Sequence, residues 1–333
     1  MMSVLWFSRA AVLAAAAVGD RLVGDPWGWP HPVQAIGQAI SWGARGILAL
    51  KLPPLGERCL GIGLGLGIIL GSGAMGWALI TLVGRLHPVL GLVCEVVLLA
   101  SCLAGRSLRK AAEDVLAPLE LGDIPTARQR LALYVGRDTE TLDEPEILRA
   151  VLETVSENAT DGVLAPLFYA LVGAFLPGGS VPIALAYKAA STLDSMIGYH
   201  YAPYTYLGWF SARLEDALTW LPCRLTVLTI ALLSGRPAQV VALCRRDAAA
   251  DPSPNAGWSE CAYAAALGVQ LGGQNQYRGQ ITEKPLLGDA LGPITGDRIR
   301  QALVLTRRAA LLWVGLGIGA MVTVMLWNTI LVH

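Results

Sequence analysis

The sequence predicts an all-α, polytopic integral membrane protein. It should have about four to six transmembrane helices, a re-entrant or kinked hairpin near 163–187, and cytoplasmic helical loops. Three observations lead there. Hydrophobic residues make up 54% of the 333 and charged residues only 15%, where soluble domains carry about 25% charged residues. Mean hydropathy is correspondingly high, at +0.52. Two runs, 59–83 and 309–332, hold no charge and exceed the roughly 20 residues that a helix needs to cross a bilayer. The basic residues, finally, gather in three polar loops.

Residues 4–19 are apolar, short and Ala-rich, with Arg9 inside the run and no small-x-small cleavage pattern after it. A retained first helix is expected rather than a signal peptide. The loop 20–58 opens with GDPWGWPHPVQAIG and reads as irregular, because prolines and glycines recur through it. Spans follow at 59–83 and 88–105, the second carrying Glu95, which needs a partner inside the bundle. Residues 106–161 are polar and read as a cytoplasmic helical insertion in a single membrane domain, 1–333. Asp123 can cap a helix from Thr126 onward, and Pro145 opens another that runs to about Asn158.

The uncharged run 162–187 is broken at Pro177-Gly178-Gly179 and again at Pro182, into pieces too short to cross. It is either one kinked span or a hairpin that leaves on the side it entered. Residues 217–235 are apolar but interrupted by Pro222 and Arg224. Residues 236–308 form a second polar region, read as a cytoplasmic loop. Loops 20–58, 106–161 and 236–308 hold four, seven and nine Lys/Arg, which places the first two on the cytoplasmic side; the third joins them, and both chain ends lie outside, if 162–235 makes an even number of crossings.

Lys+Arg and Asp+Glu are equal at 25 each, so no global field argues for a nucleic-acid partner. None of the six cysteines forms a C-x-x-C pair, and the four histidines lack i, i+4 pairing, so neither gives a metal signal. Gly71–Gly76, GSGAMG, matches a nucleotide-binding pattern by letter. It lies mid-span, where small residues serve helix packing instead. Glu153, Glu157 and Asp161 are spaced by four and would share one helix face, as a solvated stripe or as carboxylates for Mg²⁺. Arg213, Glu215 and Asp216 repeat the pattern of a base beside paired acids. Asp251–Gly257, DPSPNAG, reads as a turn held in one conformation.

The densest polar stretch is Tyr187–Tyr199, YKAASTLDSMIGY, next to an uncharged run. Together with GDPWGWPHPVQAIG, VGRDT, SENATDGVLAPLFYAL, SAR-x-E-D and DPSPNAG followed by ALGVQLGGQNQYRG, it resembles the CobD/CbiB family of adenosylcobinamide-phosphate synthases. The resemblance runs in order from about Gly24 to Gly288. It implies an inner-membrane enzyme with its active site on the cytoplasmic side. The implied reaction is an ATP-dependent amide ligation joining adenosylcobyric acid to (R)-1-aminopropan-2-ol or its O-phosphate. The corrinoid is a substrate, Mg²⁺ accompanies ATP, and lipid surrounds the spans. A second copy or other cobalamin-pathway enzymes are the implied protein partners.

Residues carried over on this resemblance are Lys188, Asp194, Asp216 and Arg213 as catalytic groups, and Glu157, Asp161 and Asp194 for the metal. Arg137, Asn158, Thr192, Ser195, Ser253, Asn255, Asp25 and His31 would bind the nucleotide or corrinoid. The chain departs from the family pattern at Ser191, where Asn is usual, at Thr219, near a common Asn, and at Asp251, where His is common. A membrane corrinoid transporter or a scaffold subunit is the alternative reading.

Overall fold

A computed structural model describes residues 2–24, 31–199 and 201–330. It divides into two compact units. Met1–Ala104, Pro166–Leu218 and Leu312–His333 form the first, and Gly105–Ala165 and Thr219–Leu311 the second. The polar regions 106–161 and 236–308, far apart in sequence, thus belong to one unit.

The first unit begins with helices α1 (Met2–Leu22), α2 (Pro32–Ala49), α3 (Pro54–Leu86) and α4 (Pro88–Ala100). Helix α2 corrects the expectation of an irregular loop at 20–58. Pro32 sits in its first turn and His31 caps it, Nδ1 accepting from the Val33 amide at 3.3 Å. Ile36, Ile40 and Ala44 form its buried stripe. Pro32 and Pro54, among the prolines that suggested a loop, mark helix starts, where a missing N–H costs nothing. His87 caps α4 in the same way. In α3, Gly61, Gly65, Gly73 and Gly76 are buried on one face. A Cβ on Gly73 would lie 2.9 Å from the Pro182 carbonyl oxygen, and one on Gly61 would collide with the Leu207 carbonyl. Helix packing is therefore the role of GSGAMG, as expected.

Within the second unit, α5 (Gly105–Glu120), α6 (Ile124–Leu131) and α7 (Glu144–Asn158) follow. Two helices were expected here, and there are three. Asp123 caps α6 through the Thr126 amide at 3.1 Å. Asp143 and Glu146 form a reciprocal capping box at the start of α7. At its end the backbone widens into a π-turn, Ala159–Leu164, a departure that often marks a functional site. The turn breaks the four-residue register on which a common face for Glu153, Glu157 and Asp161 depended.

Helix α8 (Ala165–Ala174) and α9 (Ser180–Ile197) flank the Pro177-Gly178-Gly179 break. Gly179 has φ +82°, and a Cβ on Gly173 would lie 2.6 Å from its carbonyl oxygen. The open end of α8 is closed by Arg9, whose guanidinium donates to the Ala174 carbonyl at 2.7 Å and the Pro177 carbonyl at 3.4 Å. Arg9 is also the charge facing Glu95, the partner that glutamate required. Helix α9 packs against α2, α3 and α4, and its Ala189, Ala190, Leu193 and Ile197 join Ile36, Ile40 and Ile69 in the core of the first unit.

The remaining elements are α10 (Trp209–Leu233), α11 (Pro237–Asp247), α12 (Ala256–Leu267), strands β1 (Leu271–Tyr277) and β2 (Gln280–Leu287), and α13 (Gly296–Ile330). The antiparallel hairpin is the one exception among the described residues to an otherwise helical chain. Its two-residue turn has Arg278 at φ 51° and Gly279 at φ 79°, the left-handed pair that a tight hairpin needs.

Among the described residues, Pro54–Leu86, Trp209–Leu233 and Gly296–Asn328 are long and apolar enough to cross a membrane, and the bent pair α4–α5 would make a fourth. This is a polytopic membrane protein. The expected span at 4–19 forms a helix but is not among these.

Candidate functional site

The second unit contains a buried network of charge. Glu153 lies on α7 with its side chain 2% exposed. Its carboxylate accepts from Arg137, from Arg149 Nη1 at 3.1 Å, and from the Gly272 amide at 3.0 Å. Arg137 and Arg149 both donate to Asn275 Oδ1, at 2.8 and 3.1 Å. Arg149 further holds the Gly272 and Gln274 carbonyls. Asp138 accepts from the Arg278 and Gly279 amides at 3.0 and 2.7 Å. The VGRDT segment thereby grips the hairpin at Asn275 and at its tip, while Arg149 and Glu153 hold its base at Gly272. Burial alone would push Glu153 up, but Arg137, Arg149 and Lys284 outweigh it and hold the carboxyl below its usual range.

Next to this clamp stands Lys284 on β2. Its Nζ donates to Glu260 Oε1 on α12 at 3.1 Å, and Glu260 is fully buried. Burial works against the lysine's charge, yet Glu260, Glu153, Glu157 and Asp251 together raise its pKa. Burial pushes Glu260 up to about 8; Lys284 opposes this, and Glu157 and Glu153 add to it. Glu157 is raised for the same reasons, with Asp251 contributing. Three polar atoms in this region are buried without a partner among the described residues: Glu260 Oε2, Asp251 Oδ2 and Asn275 Nδ2. Such orphans are costly, at roughly 1–3 kcal/mol each.

DPSPNAG forms a turn tied by its own side chains. Asp251 Oδ1 accepts from the Ser253 amide at 2.8 Å, and Ser253 Oγ from the amides of Asn255 and Ala256 at 3.2 and 3.0 Å. Ser253 thus closes the start of α12. Asn255 Oδ1 accepts from Arg224 at 3.0 Å. That guanidinium is stacked between Trp220 and Trp258, 5.0 and 4.7 Å from the ring centres. Thr160 of the π-turn meets Ser259 Oγ at 2.7 Å, and Ser259 donates to the Ser156 carbonyl at 2.6 Å.

The other residues expected at a site fall as follows. Asp161 lies in the π-turn, and Asn158, exposed, donates to the Thr154 carbonyl at 2.9 Å. Lys188, Thr192, Asp194 and Ser195 stand on α9 in the first unit. Thr192 and Ser195 donate to carbonyls of their own helix, at Lys188 and Thr192. Exposed Arg213 and half-buried Asp216 lie near the start of α10, also in the first unit. His31 is a helix cap, and Asp25 lies outside the described residues. No group of three or more His, Cys, Asp or Glu among the described residues is placed to hold a metal ion.

Sequence reasoning missed Glu260, Lys284, Asn275, Arg149 and Arg224. A lone carboxylate in the apolar run SECAYAAAL was the available signal for Glu260, since an unpaired buried acid is rare. Lys284 gave none, because its strand was not foreseen.

The description "CobD/Cbib protein" belongs to a family model that matches residues 13–306. The chain belongs to the CobD/CbiB family. It is 54% identical to the cobalamin biosynthesis protein CobD of Synechocystis sp., over 91% of this chain and 88% of the relative. It is 40% identical to the cobalamin biosynthesis protein CbiB of Salmonella choleraesuis, over 92% and 95%. A CobD of Klebsiella pneumoniae is also 40% identical, over 90% and 93%. No solved structure matches. The family is one of cobalamin biosynthesis proteins, and the buried charge network lies inside the matched region.

Proposed function

We propose that this chain is an inner-membrane, ATP-dependent amide ligase. It would join adenosylcobyric acid to (R)-1-aminopropan-2-ol or its O-phosphate. One observation carries the choice of an enzyme over a corrinoid transporter. The buried charge network at 137–161 and 251–284 lies in none of the three candidate spans. A transporter would place such groups at mid-membrane depth, between broken helices.

A carboxylate is a poor electrophile and must be activated. In the proposed reaction its oxygen attacks the terminal phosphorus of ATP, ADP leaves, and an acyl phosphate results. The amine then attacks the acyl carbon, phosphate leaves, and the nitrogen loses a proton. Positioning and charge stabilisation supply most of the catalysis in such transfers. In the first unit, Lys188 and Arg213 are proposed to meet phosphate or carboxylate charge, with Asp216 as base. In the second, Asn158, Ser253 and Asn255 offer neutral hydrogen bonds, and Arg137 acts by positioning Glu153.

The described residues do not fit a metal cage built from protein alone. They fit a Mg²⁺ that arrives on ATP and needs only one or two carboxylates; Asp194 in the first unit and Asp161 in the second are each proposed as a separate candidate. Glu157 faces the resident cation Lys284, which disfavours a dication beside it. Bound Mg²⁺ would neutralise phosphate charge.

Nucleotide hydrolysis that depends on both cobyric acid and an amino alcohol is the test against a transporter or scaffold, neither of which would show it. Asp161→Asn and Asp194→Asn are each expected to abolish ligation in protein that still inserts into the membrane. Near-normal turnover in both removes the metal assignment. The cytoplasmic placement has its own check. Ala189 and Ala190 are buried, so a thiol there is shielded from either side. Ser195 is exposed. In a background without native cysteines, Ser195→Cys should resist an impermeant thiol reagent outside intact cells and react in inverted vesicles. Labelling from outside would overturn the sidedness.

A further inference from the structure

The carboxylates around Lys284 outnumber what their surroundings neutralise. Glu153 is matched by Arg137 and Arg149. Glu157, Asp251 and Glu260 remain, with Lys284 as their shared cation. Glu260 is fully buried and half unpartnered, with Oε1 on Lys284 and Oε2 on nothing among the described residues. Asp251 Oδ2 is likewise without a donor. Glu157 stands half-buried beside them, and burial, with Asp251 and Glu153, raises its pKa against the pull of Lys284. The network therefore lacks positive charge and donors.

It lacks one further thing of the opposite kind. Asn275 Nδ2 is a buried donor without an acceptor, in the same network through Arg137, Arg149 and Glu153. A bare metal ion would crowd the resident cation Lys284 with a second, larger charge and would offer this amide no acceptor. A primary ammonium has three donors and a single charge, and a nearby hydroxyl oxygen accepts. A small amino alcohol offers both. Glu157 is half-buried and the Lys284 side chain 25% exposed, so these two stand on the open side of the buried pair.

We propose that Glu157, Asp251 and Glu260, arranged around Lys284 with Asn275 beside them, form the binding site for the ammonium and hydroxyl of a small amino alcohol. This deepens the ligase reading, in which such a molecule is the second substrate, and it places amine recognition in the second unit.

The experiment is calorimetric titration of the full-length protein in detergent, with and without ATP, Mg²⁺ and cobyric acid. The probes are 1-aminopropan-2-ol, 1,2-propanediol as its uncharged counterpart, and MgCl₂ alone. The amino alcohol should bind and the diol should not. Glu157→Gln and Glu260→Gln should each weaken amine binding roughly ten- to a hundredfold, the range of a charge-assisted hydrogen bond, with ATP binding retained as evidence of folding. Glu157 is the more exposed of the two, so its variant guards against a folding defect in the other. The site is overturned if wild-type protein binds no amine in either condition, or if the diol binds as well. It is also overturned if both variants keep wild-type amine affinity or lose only Mg²⁺. Amine binding without amide formation under any condition would instead sink the ligase reading and leave this site standing.

Discussion

Glu153→Ala is expected to destabilise the second unit by about 3–5 kcal/mol, the usual cost of breaking a buried ion pair from one side. The substitution leaves the guanidiniums of Arg137 and Arg149, 7% and 15% exposed, without their carboxylate. It also strips the Gly272 amide of its acceptor. Because these groups join α7 to β1, the loss should appear as faster backbone hydrogen exchange over 271–287 and as a lower unfolding temperature in detergent. Glu153→Gln should fall between, keeping hydrogen-bond geometry while losing charge. Arg300 provides the contrast. It bridges Glu113 and Glu120 at 3.1 and 2.7 Å but is 38% exposed, so Arg300→Ala should cost no more than about 1 kcal/mol. Unchanged exchange in the hairpin of Glu153→Ala would mean that the network does not hold it.

Lys284→Met should have an effect of similar size, with a distinctive dependence on pH. The change leaves Glu260 fully buried with neither oxygen partnered. In the wild type the folded Glu260 already titrates at about 8, against 4.5 for the free group. A carboxyl raised on folding binds more protons in the native than in the unfolded state between those values. Stability therefore falls as pH rises through that window, by on the order of a few kcal/mol, and levels off above it. Removing Lys284 takes away the one neighbour that lowers this pKa. The variant should be destabilised most at pH 8.5 and recover much of the loss at pH 6, as Glu260 takes up a proton. Thermal unfolding by circular dichroism at the two pH values decides it. An equal loss at both would show that Glu260 is not the group left exposed.

The membrane class and much of the helical layout were legible in the residues. Long uncharged runs at 59–83 and 309–332 can be satisfied only as helices in a bilayer. Asp123 and Pro145 announced helix starts, one by its capping chemistry and the other by its missing N–H, and the order of six motifs pointed to the family. Local rules misled at 20–58, where proline at a helix start looks the same as proline in a loop until the following turn is seen. They also missed the hairpin. Gln274, Asn275 and Gln276 give no alternation of apolar and polar residues, and Arg278-Gly279 is a weaker turn signal than Asn-Gly.

What the sequence by itself determined is composition, span length and the chemical inventory, because each depends on residues close together in the chain. Only the tertiary structure decided which charges meet. Glu153, Glu260 and Lys284 are separated by more than a hundred residues from first to last, and the partners of a buried carboxylate are set by folding. Desolvation then makes those pairings count. Glu260 reads in sequence as an ordinary acid at the edge of an alanine run, and becomes a strained one because α12 buries it beside a single lysine.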